Sequence, residues 1–131
     1  MNNLSDTPLI WVDNENAFSS ALADLRKSDR IAIDTESNSL YAYQEQVCLI
    51  QISTLTNDYL IDGLAGLKLE KLGDISADRV IQKVFHAAEY DIMCLKRDFN
   101  MEFTNLFDTM QAARILGFEK LGLSNLLEDL F

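Results

Sequence analysis

The 131-residue sequence predicts a single α/β domain built around a mixed sheet. A chain of this length ordinarily makes one domain. Residues 31–36 and 47–53 are predicted strands, and the short connection between them suits a hairpin rather than a helical crossover. Farther along the chain, predicted strands and helices alternate, which is typical of the α/β class.

The order of the elements follows from apolar spacing and from capping residues. Leu9–Val12 is a short apolar run, and Asp13 or Asn14 can cap a following helix that Ser28 and Asp29 end. The apolar stripe of that helix consists of Phe18, Ala21, Leu22 and Leu25. The remaining predicted strands are residues 59–62 and 80–86, and the remaining predicted helices are residues 64–72, residues 88–99, the segment from Asp108 to Gly117 and a short helix from Ser124.

Composition and charge narrow the classes of protein to which the chain can belong. The 11 Lys and Arg residues against 21 Asp and Glu residues give a net charge of −10, which argues against a basic patch that grips nucleic acid by charge alone. Binding through metal ions is not excluded by this balance. Two cysteines, Cys48 and Cys94, are too few for a disulfide framework, and no stretch approaches the length of a membrane helix. We therefore expect a cytoplasmic protein with reduced thiols and no membrane partner.

Two acidic residues end the predicted strand at residues 31–36. Strand alternation places Ile31 and Ile33 on one face and Asp34 and Glu36 together on the other. Because like charges at such close range repel, a hard divalent ion such as Mg²⁺ or Mn²⁺ is a natural partner for the pair. Alternatively, Asp34 only ends the strand and Glu36 is solvated.

A third acid, Asp91, is predicted to face the apolar side of a helix. Ala88, Ile92, Leu95 and Phe99 have core-facing spacing, and Asp91 falls on the same side, whereas Glu89 points away. A buried carboxylate needs hydrogen-bond donors, a basic partner or a metal. Alternatively, Asp91 lies at the edge of the stripe, where it favours the helix dipole and reaches water.

Four segments carry a resemblance to one enzyme family. They are residues 31–36 (I-A-I-D-T-E), residues 47–53 (V-C-L-I-Q-I-S), residues 84–91 (V-F-H-A-A-E-Y-D), and residues 106–109 (L-F-D-T) with A-A-R-I-L-G following at residues 112–117. In the order and spacing of these segments, which span most of the chain, the protein resembles the ribonuclease D family of DEDD 3′–5′ exonucleases. The resemblance implies a ribonuclease H-like fold, in which helices flank a mixed sheet.

The resemblance also implies a set of catalytic residues that bind metal. Asp34 and Glu36 match the family's first motif and Asp91 matches its second, so these three residues are the candidate catalytic residues and metal ligands. The cofactors implied are two divalent cations, Mg²⁺ or Mn²⁺, of which one activates a water and the other stabilises the leaving 3′ oxygen. By resemblance, Asp34 bridges both ions, Glu36 binds one ion and the 3′-terminal nucleotide, and Asp91 binds the second ion.

The implied substrate is the single-stranded 3′ end of RNA, for example of a transfer-RNA precursor, or of DNA. The product is a nucleoside 5′-monophosphate. Candidate substrate-binding residues are Thr35 between the two acids, His86 at a strand end, and Tyr41 and Tyr43, which could stack on a terminal base. His86 can equally be a structural residue, and the two tyrosines can equally cover an edge of the core. Asp108 is predicted to be a helix cap rather than a ligand.

One departure from the family pattern concerns the fourth acid. Family members carry it in a Y-x-x-x-D or H-x-x-x-D motif, and neither motif occurs in the 131 residues. We therefore expect residues 1–131 to form an exonuclease domain that is incomplete at its C-terminus, with impaired activity. A catalytically inactive module that binds nucleic acid or protein is the alternative.

A phosphoacceptor receiver domain is a further alternative. Asp34, Glu36 and Asp62 all lie near predicted strand ends, and that class uses an acidic cluster with Mg²⁺. The short connection over residues 37–46 counts against it, because a receiver needs a helix there to join parallel strands.

Overall fold

The computed structural model describes residues 7–39 and 43–131. The strands are β1 (Leu9–Val12), β2 (Arg30–Ser37), β3 (Val47–Ser53), β4 (Asp58–Asp62), β5 (Gln82–Phe85) and β6 (Leu106–Asp108). The helices are α1 (Glu15–Leu25), α2 (Leu72–Ser76) after a 3-10 turn at Leu69–Lys71, α3 (Glu89–Phe99), α4 (Thr109–Ile115) and α5 (Leu123–Leu130). None of these helices has the length and apolar character needed to cross a membrane.

The strands form one mixed sheet in the order β1-β4-β3-β2-β5-β6. β2 and β3 are antiparallel, which confirms the predicted hairpin and excludes a receiver domain, because that class requires parallel strands at this point. β2 pairs on its other side with β5, which is parallel to it, and β6 continues the parallel part. The strand that carries Asp34 therefore lies inside the sheet, next to the strand that leads into α3.

The hydrophobic core lies on one face of the sheet. Ile31 and Ile33 of β2 alternate with exposed neighbours and are buried together with the apolar residues of α1. The predicted stripe of α1 is confirmed, since all four of its residues are buried, and the side chain of Asn14 caps the helix by accepting from Ala17 N at 3.0 Å. This arrangement leaves the opposite face of β2 open.

Two elements differ from the prediction. Instead of the helix predicted over residues 64–72, α2 begins only after the 3-10 turn and ends at Ser76. Gly66 has a left-handed φ of 73°, so a right-handed helix cannot pass through it. β6 was not predicted as a strand, since it has three residues and its apolar side chains, Leu106 and Phe107, are exposed on an edge.

A bulge in β3 lies beside the end of β2 that carries Glu36. Glu36 pairs with Leu49 whereas Ser37 pairs with Val47, so Cys48 is the extra residue. Gly63 N donates to Cys48 O at 2.8 Å, and a Cβ on Gly63 would lie 2.5 Å from Val47 O. Only glycine therefore permits this close approach, which holds the bulge against the end of β4.

Candidate active site

Asp34 and Glu36 lie on the open face of the sheet near the carboxyl end of β2. Their side chains alternate with those of Ile31 and Ile33, and both acids are exposed. The prediction that the two acids share one face of the strand is confirmed.

Asp91 lies in the first turn of α3, on the other side of β2. It is 8% exposed, and its Oδ1 accepts a 2.6 Å hydrogen bond from Thr35 Oγ1. Thr35 stands between the two acids in sequence, but alternation directs it to the face that α3 covers. The predicted inward orientation of Asp91 is confirmed, and Glu89 is exposed as expected. Thr35 therefore joins the strand of the two exposed acids to the helix of the buried one.

Burial raises the pKa of the Asp91 carboxyl above its ordinary value of 3.8. The hydrogen bond from Thr35 lowers this pKa in part, and the negative charge of Asp34 raises it again. Asp34 is thus near enough to act electrostatically on Asp91. Since the charge of Asp34 disfavours the ionised form of Asp91, a cation bound beside the two carboxylates would favour that form.

The residues present suit a hard divalent cation in their chemistry. Carboxylate oxygens are the ligands that Mg²⁺ and Mn²⁺ prefer. Across residues 7–39 and 43–131, however, no group of three or more His, Cys, Asp or Glu side chains is placed to hold a metal ion. Uptake of a cation at Asp34, Glu36 and Asp91 would therefore require the carboxylates to converge, which would weaken its binding.

Asp108 holds the segment that leads into α3. Its Oδ2 accepts from Ala88 N at 2.9 Å, and its Oδ1 accepts from Ala87 N at 3.1 Å, from Met110 N at 2.9 Å and from Gln111 N at 3.2 Å. Burial acts to raise the pKa of this carboxyl, but the four backbone donors together hold the pKa below its ordinary value. The predicted cap of α4 is confirmed, and the same carboxylate also secures the entry to α3.

The hydrogen bonds of Thr109 determine the orientation of His86. Thr109 Oγ1 donates its one hydrogen to Phe85 O at 3.1 Å, so His86 Nδ1, 2.9 Å from the same oxygen, must donate to it. A neutral His86 therefore carries its proton on Nδ1 and presents Nε2 as an acceptor. Nε2 makes no hydrogen bond with the described residues. Every buried side-chain nitrogen or oxygen in that part of the chain has a hydrogen-bond partner, so Nε2 is not buried and is accessible.

A groove of about 330 Å³ opens on the face of the sheet that carries Asp34. Asp34, Gln51, His86, Thr109 and Leu123 are among the residues that line it, and we refer to it as the Asp34 groove. The groove brings one predicted metal ligand and one predicted substrate-binding residue to a common surface. Such a concave site with few, convergent polar groups is typical of ligand-binding sites.

Of the two tyrosines predicted to contact substrate, the structure describes only Tyr43. Tyr43 is fully exposed, on the connection between β2 and β3, and is free to stack on a base. Its exposure argues against the alternative that it covers the core edge. Tyr41 lies outside the described residues.

The family of the protein is evident from its similarity to known proteins. A family model described as 3′-5′ exonuclease matches residues 9–131. The chain belongs to the 3′–5′ exonuclease family. It is 39% identical over 125 residues to the exosome complex exonuclease RRP6 of Saccharomyces cerevisiae, a match that covers 95% of this chain and 17% of that protein.

Solved structures of family members have the same fold. The catalytic core of RRP6 from Trypanosoma brucei matches with a TM-score of 0.90 and 33% identity, over 98% of this chain and 36% of that one. RNase D of Escherichia coli, described as an exoribonuclease involved in structured RNA processing, matches with a TM-score of 0.84 and 26% identity, over 94% of this chain and 33% of that one. The predicted ribonuclease D resemblance and ribonuclease H-like fold are confirmed. The exonuclease domain seen here spans well under half the length of each of these proteins.

Several long-range contacts around the candidate site could not be inferred from the sequence. The capping role of Asp108 is readable from its spacing to Gln111, but its bonds to Ala87 and Ala88 join residues about twenty positions apart. The only sequence feature that points to a role for Thr35 is its position between Asp34 and Glu36. These long-range bonds need the sheet order to be known, because β6 and β5 must be neighbours before Asp108 can reach α3.

Proposed function

We propose that the chain is the catalytic part of a metal-dependent 3′–5′ exoribonuclease that releases nucleoside 5′-monophosphates from single-stranded RNA. The observation that carries the proposal is the placement of Asp34 and Glu36 at the end of β2, with Asp34 acting on the buried Asp91. Family membership supplies the reaction class, and the Asp34 groove supplies a surface for the terminal nucleotide.

The three acids have separate roles in this proposal. Asp34 would hold both divalent cations, Mg²⁺ or Mn²⁺, Glu36 would hold one cation and the 3′-terminal nucleotide, and Asp91 would hold the second cation. Cations held there would supply activation of a water and stabilisation of the leaving 3′ oxygen. Thr35 keeps Oδ1 of Asp91 directed toward β2 and leaves Oδ2 for the cation or its water.

His86 contributes to binding of the terminal nucleotide. Its Nε2 accepts from a sugar hydroxyl in the Asp34 groove, and Thr109 keeps the ring in the tautomer that makes this possible. The single-stranded end enters past Tyr43. An RNA substrate accords with RNase D of Escherichia coli, which is described as an exoribonuclease.

Catalytic turnover by the 131 residues alone should be slow. They contain no Y-x-x-x-D or H-x-x-x-D motif, so the fourth carboxylate and the group that orients the water are not supplied. Loss of general acid–base assistance alone typically lowers rates by about 10²- to 10⁴-fold. With three acids for two divalent cations, one positive charge also stays unneutralised.

Metal binding gives the most direct test, because it does not depend on turnover. Titration calorimetry with Mn²⁺ should show weak binding by the wild-type chain, and Asp34→Asn should lower the affinity at least about 10-fold. Asp58→Asn is a matched control, since Asp58 begins β4 at the opposite end of the sheet and should leave Mn²⁺ affinity unchanged. Equal affinities of wild type and Asp34→Asn would remove Asp34 from the site.

A second assay separates catalysis from binding. A 5′-labelled single-stranded RNA, incubated with high concentrations of the chain and Mn²⁺, should be shortened slowly from its 3′ end, and Asp34→Asn should abolish the shortened products. One other function is compatible with 131 residues that contain neither fourth-acid motif, namely an inactive module that holds RNA. RNA binding that needs no Mn²⁺ and is equal in Asp34→Asn, without any shortened product, would support that module instead.

A further inference from the structure

The F-D-T segment contributes a carboxylate that the proposed chemistry does not use. Asp108 ends β6, and its two oxygens accept four backbone hydrogen bonds. Two of the donors, Met110 N and Gln111 N, belong to the first turn of α4, as an ordinary N-cap requires. The other two, Ala87 N and Ala88 N, belong to a different element.

The second pair of donors lies at the N-terminus of α3, which has no side-chain cap of its own. Ala88 is the N-cap residue of α3, and its side chain cannot accept a hydrogen bond. Ala87 has a φ of 60°, a left-handed conformation that is unfavourable for a residue with a Cβ and persists where surrounding bonds hold it. Asp108 bonds to both residues and places a negative charge at the N-terminus of α3, where the helix dipole favours it.

Ala88 and Asp91 are three residues apart, so they share one face of α3. The backbone that Asp108 fixes at Ala88 therefore sets the direction in which Asp91 enters the space beside β2. From the other side, the Thr35 hydroxyl holds Asp91 Oδ1 at 2.6 Å. Asp91 is thus positioned from two sides, through the bonds of Asp108 to the start of α3 and through its own bond with Thr35, and all of these bonds join residues far apart in the chain.

We infer that Asp108 is a positioning residue for the metal site, which it serves by fixing the left-handed turn at Ala87 and the first turn of α3 so that Asp91 is held beside β2, against Thr35. This inference rests on the proposed function. In this inference Asp108 is not a cation ligand, since both of its oxygens accept from backbone donors. Its effect on the site is transmitted through α3.

One substitution separates the two roles of Asp108. Asp108→Ser keeps a side-chain acceptor for the first turn of α4, since serine is a good N-cap residue, but its shorter side chain cannot reach Ala87 N and Ala88 N. Asp108→Asn is the second variant, because it keeps the shape and the Oδ1 acceptor while it loses the acceptor for Ala88 N. Asn14→Ala is the matched control, since it removes the side-chain cap of α1, away from the site.

Mn²⁺ alone, titrated into the full 131-residue chain, is the probe. Asp108→Ser and Asp108→Asn should each lower the affinity for Mn²⁺ about 10-fold or more, while Asn14→Ala lowers the melting temperature and leaves the affinity unchanged. Hydrogen exchange at the amides of residues 89–92 should be faster in both Asp108 variants and unchanged in Asn14→Ala.

Asp34→Asn distinguishes the failure of this inference from the failure of the proposed function. If Asp34→Asn loses Mn²⁺ binding and either folded Asp108 variant keeps wild-type affinity, the positioning role is refuted and the metal site stands. If the wild-type chain takes up no Mn²⁺, or Asp34→Asn binds as well as wild type, the proposed function and this inference are both refuted. If Asn14→Ala also loses Mn²⁺ affinity, the losses in the Asp108 variants reflect a general loss of stability, and the positioning role is refuted.

Discussion

Two charged side chains are buried among residues 7–39 and 43–131, and their surroundings differ. Lys83 of β5 is fully buried, and its Nζ donates to two backbone carbonyl oxygens, Asp78 O and Ile81 O, in the turn just before the strand. Asp91 of α3 is nearly as buried, but it has the hydroxyl of Thr35 as its side-chain donor and the negative charge of Asp34 nearby.

Burial shifts both groups toward their neutral forms. Burial lowers the pKa of Lys83, and the charge of Asp78 acts in the opposite direction. For Asp91 the nearby charge adds to the effect of burial, since Asp34 has the same sign. The pKa of Lys83 thus stays lowered overall, but the charge nearest to it favours its charged form, whereas the charge nearest to Asp91 disfavours ionisation of that carboxyl. A buried charge with favourable local contacts stabilises the fold, whereas one held beside a like charge is suited to binding a cation from outside.

The largest effect on folding is expected at Lys83. Lys83→Met keeps most of the length of the side chain but removes the donor from the buried bond to Ile81 O and from the part-buried bond to Asp78 O, and an unpaired buried group costs about 1–3 kcal/mol. We expect the free energy of unfolding, measured by urea denaturation, to fall by about 3 kcal/mol. Lys27→Met, at an exposed lysine, should change it by less than about 0.5 kcal/mol. A loss at Lys83 no larger than at Lys27 would show that the carbonyl bonds contribute nothing.

A smaller effect is expected where Thr35 meets Asp91. Thr35→Val removes the hydroxyl that donates to Asp91 Oδ1, and hydrogen bonds to charged groups contribute about 1.5–3 kcal/mol. We expect the free energy of unfolding at pH 7 to fall by about 1.5 kcal/mol, whereas Thr35→Ser, which keeps the hydroxyl, should lose less. In an Asp91→Asn background the loss from Thr35→Val should shrink, because the acceptor is then uncharged. Equal losses in both backgrounds would mean that Thr35 acts through packing.

Asp91 and Lys83 also differ in how much of their surroundings the sequence could predict. The spacing of Ala88, Ile92 and Leu95 was enough to predict that Asp91 faces inward, because helical periodicity is a local property. The shared face of Asp34 and Glu36 follows from strand alternation in the same way. Local patterns and the family resemblance thus predicted the class of fold and the face on which each acid lies.

Contacts between elements were not predictable in this way. Lys83 lies in an apolar stretch that favours a strand, and nothing in its neighbours indicates that backbone carbonyls would receive its ammonium group. Thr35–Asp91 and Asp108–Ala88 likewise join elements that meet only when β2, β5 and β6 are paired. The helix predicted from residue 64 could not pass through Gly66, whose left-handed φ depends on the path of the loop and not on apolar spacing.

The smallest effect, and one of opposite sign, is expected at Asp91 itself. Asp91→Asn keeps an oxygen that can accept from Thr35 and removes a charge that burial and Asp34 both disfavour. We expect the free energy of unfolding at pH 7 to rise by about 1 kcal/mol while Mn²⁺ binding is lost, as is common where a site is built at the expense of stability.

The pH dependence of this gain tests its electrostatic origin. Because the pKa of Asp91 is raised on folding, its carboxyl favours the folded chain fully below the ordinary value of 3.8, and this contribution is lost as the pH rises through the folded-state pKa. Asparagine does not titrate, so the variant should match wild type at low pH and exceed it at pH 7 in chemical denaturation. If Asp91→Asn is less stable than wild type at pH 7, the prediction is wrong. The charge of Asp91 would then be stabilised by its partners within the fold, as is expected for Lys83.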